Sequence, residues 1–220
     1  MQLHKILELK EYHQLKGLYK MIAIIDYGIG NLQSVLNAFK SQGFDAIITS
    51  NKDEILNADK VVLPGVGAFG DAIDTFRERG FEPVISELIK KNTPLLGICV
   101  GMQMLFDTSY EYGEHKGLGL LKGKIIKFED NSLKVPQIGW NTLEIVKDCP
   151  LLKGLADMSY VYFVHSYRLS EPNPDDVIGY TSYGVRYGVM VQKNNIYGVQ
   201  FHPEKSGKIG LQILKNFGEL

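Results

Sequence analysis

The chain has 220 residues, a formal net charge of −1 and two cysteines. That length suits one domain with a sizeable core, and the balanced charge excludes the basic footprint of a nucleic-acid binder. No apolar run is long enough for a membrane span, and Cys99 and Cys149 alone make no disulfide framework, so a cytoplasmic protein is expected.

Residues 1–20 stand apart. Leu3, Ile6, Leu7, Leu15 and Leu18 lie among Lys, Glu, His and Gln, the pattern of a short amphipathic helix. The segment lacks a long apolar stretch and a small-residue cleavage site, so it reads as an N-terminal extension rather than a signal peptide. Residues 21–220 then form the domain. Met21 to Asp26 is the first expected strand, followed by the tight loop Tyr27-Gly28-Ile29-Gly30-Asn31. A helix is expected from about Leu32 to Ser41, stopped by Gly43, then a strand over Ala46 to Thr49. Lys60 to Leu63 is a third strand, and helices follow from Phe69 to Arg79 and from Pro83 to Lys91.

Pro94 to Ile98 is a short apolar run of the kind found in a buried parallel strand. Cys99 follows, flanked by Gly97 and Gly101, and Met102, Leu105 and Phe106 then give helical spacing. A strand turning sharply into a helix, with Gly on both sides of a nucleophile, is a nucleophile elbow. The N–H groups and dipole of such a helix favour a thiolate. Taken alone, the pentapeptide is equally compatible with a buried structural cysteine.

The second half is richer in strands: Gly123 to Phe128, Thr142 to Val146, Tyr160 to Val164, Val177 to Thr181, Val189 to Gln192 and Ile196 to Phe201, with a last helix over Ile209 to Phe217. Alternating strands and helices give an α/β domain with a mostly parallel central sheet flanked by helices. Short connections later in the chain add antiparallel strands to it.

Gly65-Val66-Gly67-Ala68-Phe69-Gly70 matches a dinucleotide fingerprint. It follows the third strand rather than the first, the next strand offers no ribose-binding acid, and the first loop lacks the third glycine. The other use of such a loop is to aim N–H groups of Val66 or Gly67, with that of Val100, at a developing oxyanion. Cys99 then needs a base. His4 and His13 lie in the extension, and His115 sits in a polar loop between Glu114 and Lys116. His165 at a strand end competes for the role. His202 is better placed, because in an extended segment Glu204, two residues on, points the same way and can orient the imidazole. A zinc site is the weaker reading of Cys99, His202 and Glu204, since no second Cys or His has ligand spacing, and no metal or cofactor is expected.

Gly97-Ile98-Cys99-Val100-Gly101-Met102-Gln103 together with Phe201-His202-Pro203-Glu204 resembles the class I, or triad, glutamine amidotransferases. Asp26 to Asn31, Pro64 to Gly70, Gly117 to Leu120, Ile138 to Asn141, Tyr162 to Tyr167 and Gln200 to Ser206 are similar to the glutaminase subunits of imidazole glycerol phosphate synthase. The resemblance covers Met21 to Leu220. It implies a flavodoxin-like fold and hydrolysis of glutamine to glutamate and ammonia. The ammonia would pass to a cyclase subunit, a (β/α)₈ barrel joined in a heterodimer. That partner makes imidazole glycerol phosphate and aminoimidazole carboxamide ribotide in histidine biosynthesis. It further implies that Cys99, His202 and Glu204 are catalytic, that Gly67, Gln103, Ser166 and Tyr167 hold glutamine, and that Asn31, Trp140 and Tyr162 lie towards the partner. One departure stands out: Gln137 occupies a place where His is expected, in a segment expected near the partner. It leaves open a related glutaminase subunit serving another synthase, such as one that modifies surface sugars. A non-catalytic module and a free-standing thiol hydrolase are the remaining alternatives.

Overall fold

Short apolar runs dictate the centre of the molecule. A computed structural model of the chain describes residues 20–129 and 132–220; the extension predicted over residues 1–20 lies, apart from Lys20, outside the described residues. The strands are β1 (Ile22–Ile25), β2 (Ala46–Thr49), β3 (Lys60–Leu63), β4 (Leu95–Ile98), β5 (Thr108–Ser109), β6 (His115–Lys116), β7 (Lys124–Lys127), β8 (Gln137–Ile145), β9 (Ser159–His165), β10 (Tyr167–Ser170), β11 (Val177–Tyr183), β12 (Val185–Lys193) and β13 (Ile196–Val199). The helices are α1 (Leu32–Ser41), α2 (Lys52–Leu56), α3 (Phe69–Glu78), α4 (Glu82–Lys90), α5 (Val100–Gln103) and α6 (Gly207–Glu219).

A nine-stranded sheet runs in the order β2-β1-β3-β4-β13-β12-β11-β8-β9. Its first five strands are parallel and its last four are joined antiparallel. The sheet is therefore mixed, with the parallel part confined to one half. Every residue of β1, β3, β4 and β13 is buried, as continuous apolar strands covered on both faces must be. Helices cover the parallel part: Phe39 of α1 and Phe217 of α6 meet with ring centroids 6.2 Å apart. Among the described residues, no helix is long and apolar enough to cross a membrane.

Several elements differ from expectation. Strands β5, β6 and β10 of the small sheet β10-β7-β5-β6 and the short helix α2 were not expected, since each carries too few residues to show a period, whereas β7 falls within the strand expected over Gly123 to Phe128. Helix α2 is nonetheless capped, with the Asn51 side chain accepting a bond from the Asp53 N–H. Strand β8 begins at Gln137, ahead of the expected Thr142. The helix after the elbow, α5, is a single turn, so the helix dipole expected beside Cys99 shrinks to a few backbone N–H groups.

Candidate active site

The candidate site forms where two neighbouring parallel strands stop. Strands β4 and β13 pair with Ile98 opposite Val199, so the segments that follow leave the sheet at the same edge. Cys99 comes directly after β4 and His202 shortly after β13. The Cys99 backbone N–H donates to the Val199 carbonyl at 2.8 Å, which ties the two exits together. Cys99 itself sits at φ 54°, ψ −111°, a conformation that L residues rarely adopt. The turn is crowded as well as strained. A Cβ on Gly97 would stand 2.8 Å from the Gly101 carbonyl oxygen.

His202 lines the same cleft as Cys99, and its Nδ1 lies 2.9 Å from Glu204 Oε1. The backbone is not the extended run expected there: Pro203–Lys205 is a 3₁₀ turn, and Glu204 folds back onto the imidazole from inside it. The Glu204 side chain is 1 % exposed. Burial is the largest single influence on His202 and pulls it down. Hydrogen bonds and charge from Cys99 and Glu204 together outweigh it and push the ring up to about 10. Ser206, which sequence reasoning did not single out, clamps the turn: its hydroxyl donates to the His202 carbonyl at 2.6 Å and accepts from the Tyr162 N–H at 2.9 Å.

In front of Cys99 and His202 opens a cleft of about 170 Å³. Val66, Gly67, Val100, Gln103, Ser166 and Tyr167 line it. The loop after β3 reaches the elbow because Gly65 allows it: a Cβ there would lie 2.5 Å from the Gly101 nitrogen. Tyr27 holds the loop from below, its hydroxyl donating to the Pro64 carbonyl at 2.9 Å. This arrangement is not a dinucleotide site. The Phe69 N–H at the start of α3 donates to Glu111 Oε2 at 2.7 Å, which sets a carboxylate where a pyrophosphate would need to bind.

Glu111 and Lys205 also line the cleft. Neither was expected from the sequence. Burial raises Glu111 most, against the lowering effect of the Phe69 bond. A carboxylate and an ammonium facing one small cleft complement the amino and carboxylate groups of a free amino acid. For Glu111 the sequence holds no signal, whereas Lys205 is adjacent to the His202-Pro203-Glu204 motif.

His165 lines the cleft but its ring is fully engaged. Nδ1 donates to the Tyr167 carbonyl at 2.8 Å and Nε2 lies 3.0 Å from the Tyr187 hydroxyl. Burial, most of all, pulls it down to about 4, so it is neutral and poorly suited to act as a base. An unfolded histidine titrates near 6.5. Between those values the unfolded chain takes up a proton that the folded chain refuses, so this contribution to stability is present above pH 6.5 and lost as pH falls through 4. The loss is on the order of 3 kcal/mol. Urea midpoints taken from about pH 7 down to about pH 4 should fall less steeply in His165→Asn than in the wild type. Equal slopes would show that His165 is not held neutral.

The Gln137 side chain faces inward, 4 % exposed, with Oε1 2.7 Å from the Tyr187 hydroxyl. The outward residues of this strand are Ile138 and Trp140. The departure from His at this position is thus an interior change. Trp140 packs edge-on against Tyr162 on the neighbouring strand. Asn31 is half-buried at the start of α1.

A sheet edge that carries a strained cysteine, a buried His–Glu pair and a glycine loop has the composition of a thiol amidohydrolase site. The family model for class-I glutamine amidotransferases matches residues 23–219, and the chain belongs to that family. It is 49 % identical over 200 residues to the imidazole glycerol phosphate synthase subunit HisH of Caldanaerobacter subterraneus subsp. tengcongensis, covering 91 % of this chain and 98 % of that one. It is 52 % identical over 197 residues to the subunit of the same name from Bacillus cereus, covering 90 % and 93 %. The corresponding Methanocaldococcus jannaschii subunit is 48 % identical over 200 residues, covering 91 % and 100 %. Among solved structures, PurLQS from Thermotoga maritima superposes with a TM-score of 0.74 at 20 % identity, over 90 % of this chain and 97 % of that one, a likeness of fold.

Proposed function

We propose that the chain is the glutaminase subunit of imidazole glycerol phosphate synthase, acting in histidine biosynthesis. The observation that carries the chemistry is the buried His202–Glu204 pair in the same cleft as the strained Cys99. The pathway rests on near full-length similarity to subunits bearing that name. The inward-facing Gln137 gives no reason to prefer a sugar-modifying synthase.

Glutamine enters with its side-chain amide at Cys99 and its amino and carboxylate groups towards Glu111 and Lys205. His202 takes the thiol proton, and the resulting thiolate attacks the amide carbon. Backbone N–H groups of Val66 or Gly67 and of Val100 receive the oxyanion. The imidazolium, stabilised by Glu204, returns the proton to the departing ammonia, and water hydrolyses the thioester. Ammonia then passes to a cyclase subunit, a (β/α)₈ barrel bound in a heterodimer. The pair works in the cytoplasm, where Cys99 stays reduced.

Glutamine hydrolysis by the purified chain, alone and with the cyclase and its nucleotide ligand, tests this reading. Low activity alone and a large rise with the liganded cyclase support it. No rise with a folded chain and an active cyclase rules out the pairing. Full activity without any partner points to a free-standing hydrolase.

Docking uses the outward face of β8 and β9. Trp140 is 55 % exposed there, beside the exposed Ile138 and Tyr160. Trp140→Ala should weaken cyclase binding by about 30-fold or more in calorimetry, because buried aromatic anchors dominate interfaces. The isolated chain should keep its stability to within about 0.5 kcal/mol. Unchanged affinity would move the interface elsewhere.

A further inference from the structure

Gln200 has no part in the chemistry described so far. It follows β13, two residues before His202, and is 1 % exposed. Its Nε2 lies 3.7 Å from Cys99 Sγ, within hydrogen-bond range for sulfur. Its Oε1 accepts from Gln103 Nε2 at 3.0 Å. The same Gln103 nitrogen donates to the Tyr167 carbonyl at 3.3 Å, and that carbonyl also accepts from His165 Nδ1 at 2.8 Å.

These contacts remove the usual ambiguity of amide orientation. Gln103 faces two acceptors, the Tyr167 carbonyl and Gln200 Oε1, so its nitrogen must be on that side. Gln200 therefore offers its oxygen to Gln103 and its N–H to the sulfur. Turning Gln200 over would set two amide nitrogens against each other and an oxygen lone pair against a thiolate. Cys99 Sγ lies 3.9 Å from the Val164 carbonyl, an acceptor that only the thiol form can use. The N–H of Gln200 is the opposite: it favours the thiolate, because a donor stabilises the anion more than the neutral thiol. Gln103 and Cys99 are each 3 % exposed, so little water screens the interaction.

We infer that Gln200 is a further catalytic residue, whose amide N–H holds the Cys99 sulfur in place and in its thiolate form, and that Gln103 positions Gln200. The inference rests on Cys99 being the nucleophile. It gives Gln103 a role distinct from contact with glutamine. When the sulfur attacks, its negative charge passes to the amide oxygen and this bond weakens. When the thioester is hydrolysed and the thiolate leaves, the bond re-forms.

The test is the pH profile of Cys99 alkylation by iodoacetamide, itself a small primary amide that fits a cleft built for one. Mass spectrometry assigns the adduct to Cys99 or Cys149 in the wild type, Gln200→Glu, Gln200→Met and Gln103→Met, each checked by circular dichroism. Gln200→Glu keeps an oxygen for Gln103 and replaces the N–H donor by an acceptor. Gln200→Met keeps the length and removes both groups, so the pair guards against one variant failing to fold. The expected result is a midpoint shifted upward by about one pH unit in the Gln200 variants, with alkylation at neutral pH about 10-fold slower. Gln103→Met should shift the midpoint the same way by less. A structural role alone would leave the midpoint where it is. Native-like Gln200 variants with the wild-type midpoint overturn the inference while leaving Cys99 as nucleophile. Wild-type alkylation that does not favour Cys99 over Cys149 overturns the nucleophile and the inference together.

Discussion

Cys99→Ala is expected to abolish glutamine hydrolysis in the presence of the liganded cyclase. The thioester intermediate needs a sulfur, and no other side chain lining the cleft can replace it as a nucleophile at the strained elbow. Alanine removes only Sγ, so the fold should be kept. The Cβ still fits the turn, and the Cys99 N–H still reaches the Val199 carbonyl. Glu204→Gln is the graded counterpart. The amide keeps the volume and loses the charge that, with Cys99, lifts His202 to about 10. A Gln side chain can also turn its N–H₂ to the ring and select the wrong tautomer. The expected fall in kcat is about 10³- to 10⁴-fold, by analogy with removal of the charge from other triads. KM for glutamine should change little, because Glu204 lies behind His202 and outside the cleft lining. Steady-state ammonia release with the cyclase present measures both variants. Residual turnover of Cys99→Ala above a few per cent would remove Cys99 from the mechanism. A Glu204→Gln enzyme within about 10-fold of wild type would reduce Glu204 to a structural partner of the 3₁₀ turn.

The parts of this site that could be read from the sequence are those held by local geometry. The elbow shows because one pentapeptide contains the strand end, the nucleophile and both glycines. His202 and Glu204 show because they are two residues apart, although the backbone between them is a 3₁₀ turn rather than a strand. The parallel half of the sheet shows because strands buried on both faces read as continuous apolar runs. Long-range placement hides the rest. Glu111 reaches the cleft from the loop between β5 and β6, strands of two residues each, and its nearest backbone partner is Phe69. The contact between Gln103 and Gln200 spans 97 positions, and no local pattern marks either as paired. Strand β8 was missed in its first half because its outward residues, Ile138 and Trp140, are apolar and exposed, which breaks the usual alternation. That same breakage is the mark of a docking face. Gln137 illustrates the converse hazard. Its position in the chain suggests the partner face, yet the two-residue period of a strand sends it inward, to Tyr187.

Gly101→Ala is expected to damage the fold as well as the activity. A Cβ at this position would stand 2.0 Å from the Leu63 carbonyl oxygen and 2.8 Å from its carbon. Both are backbone atoms at the end of β3, which pairs with β4, so neither can swing aside as a side-chain tip would. Relief requires moving the one-turn helix α5 away from the Pro64-Gly65 segment. Gly65 makes the reciprocal demand from the other side, with its own would-be Cβ 2.5 Å from the Gly101 nitrogen. The expected cost is about 3 kcal/mol or more, a large share of a domain's usual 5–15 kcal/mol. The proper comparison is Gly154→Ala. Gly154 has φ +79° and nothing within 4 Å of a Cβ, so that change carries only the backbone penalty of about 1 kcal/mol. Denaturation midpoints of the two variants separate crowding from conformation, and near-equal losses would mean that the elbow has room to spare. If Gly101→Ala still folds, the same displacement predicts lost glutaminase activity. Val100 and the Val66-Gly67 loop face one cleft only because Gly65 and Gly101 let two backbones touch. The glycine after the nucleophile thus does more than permit a tight turn. It sets the distance between the sulfur and the N–H groups proposed to receive the oxyanion.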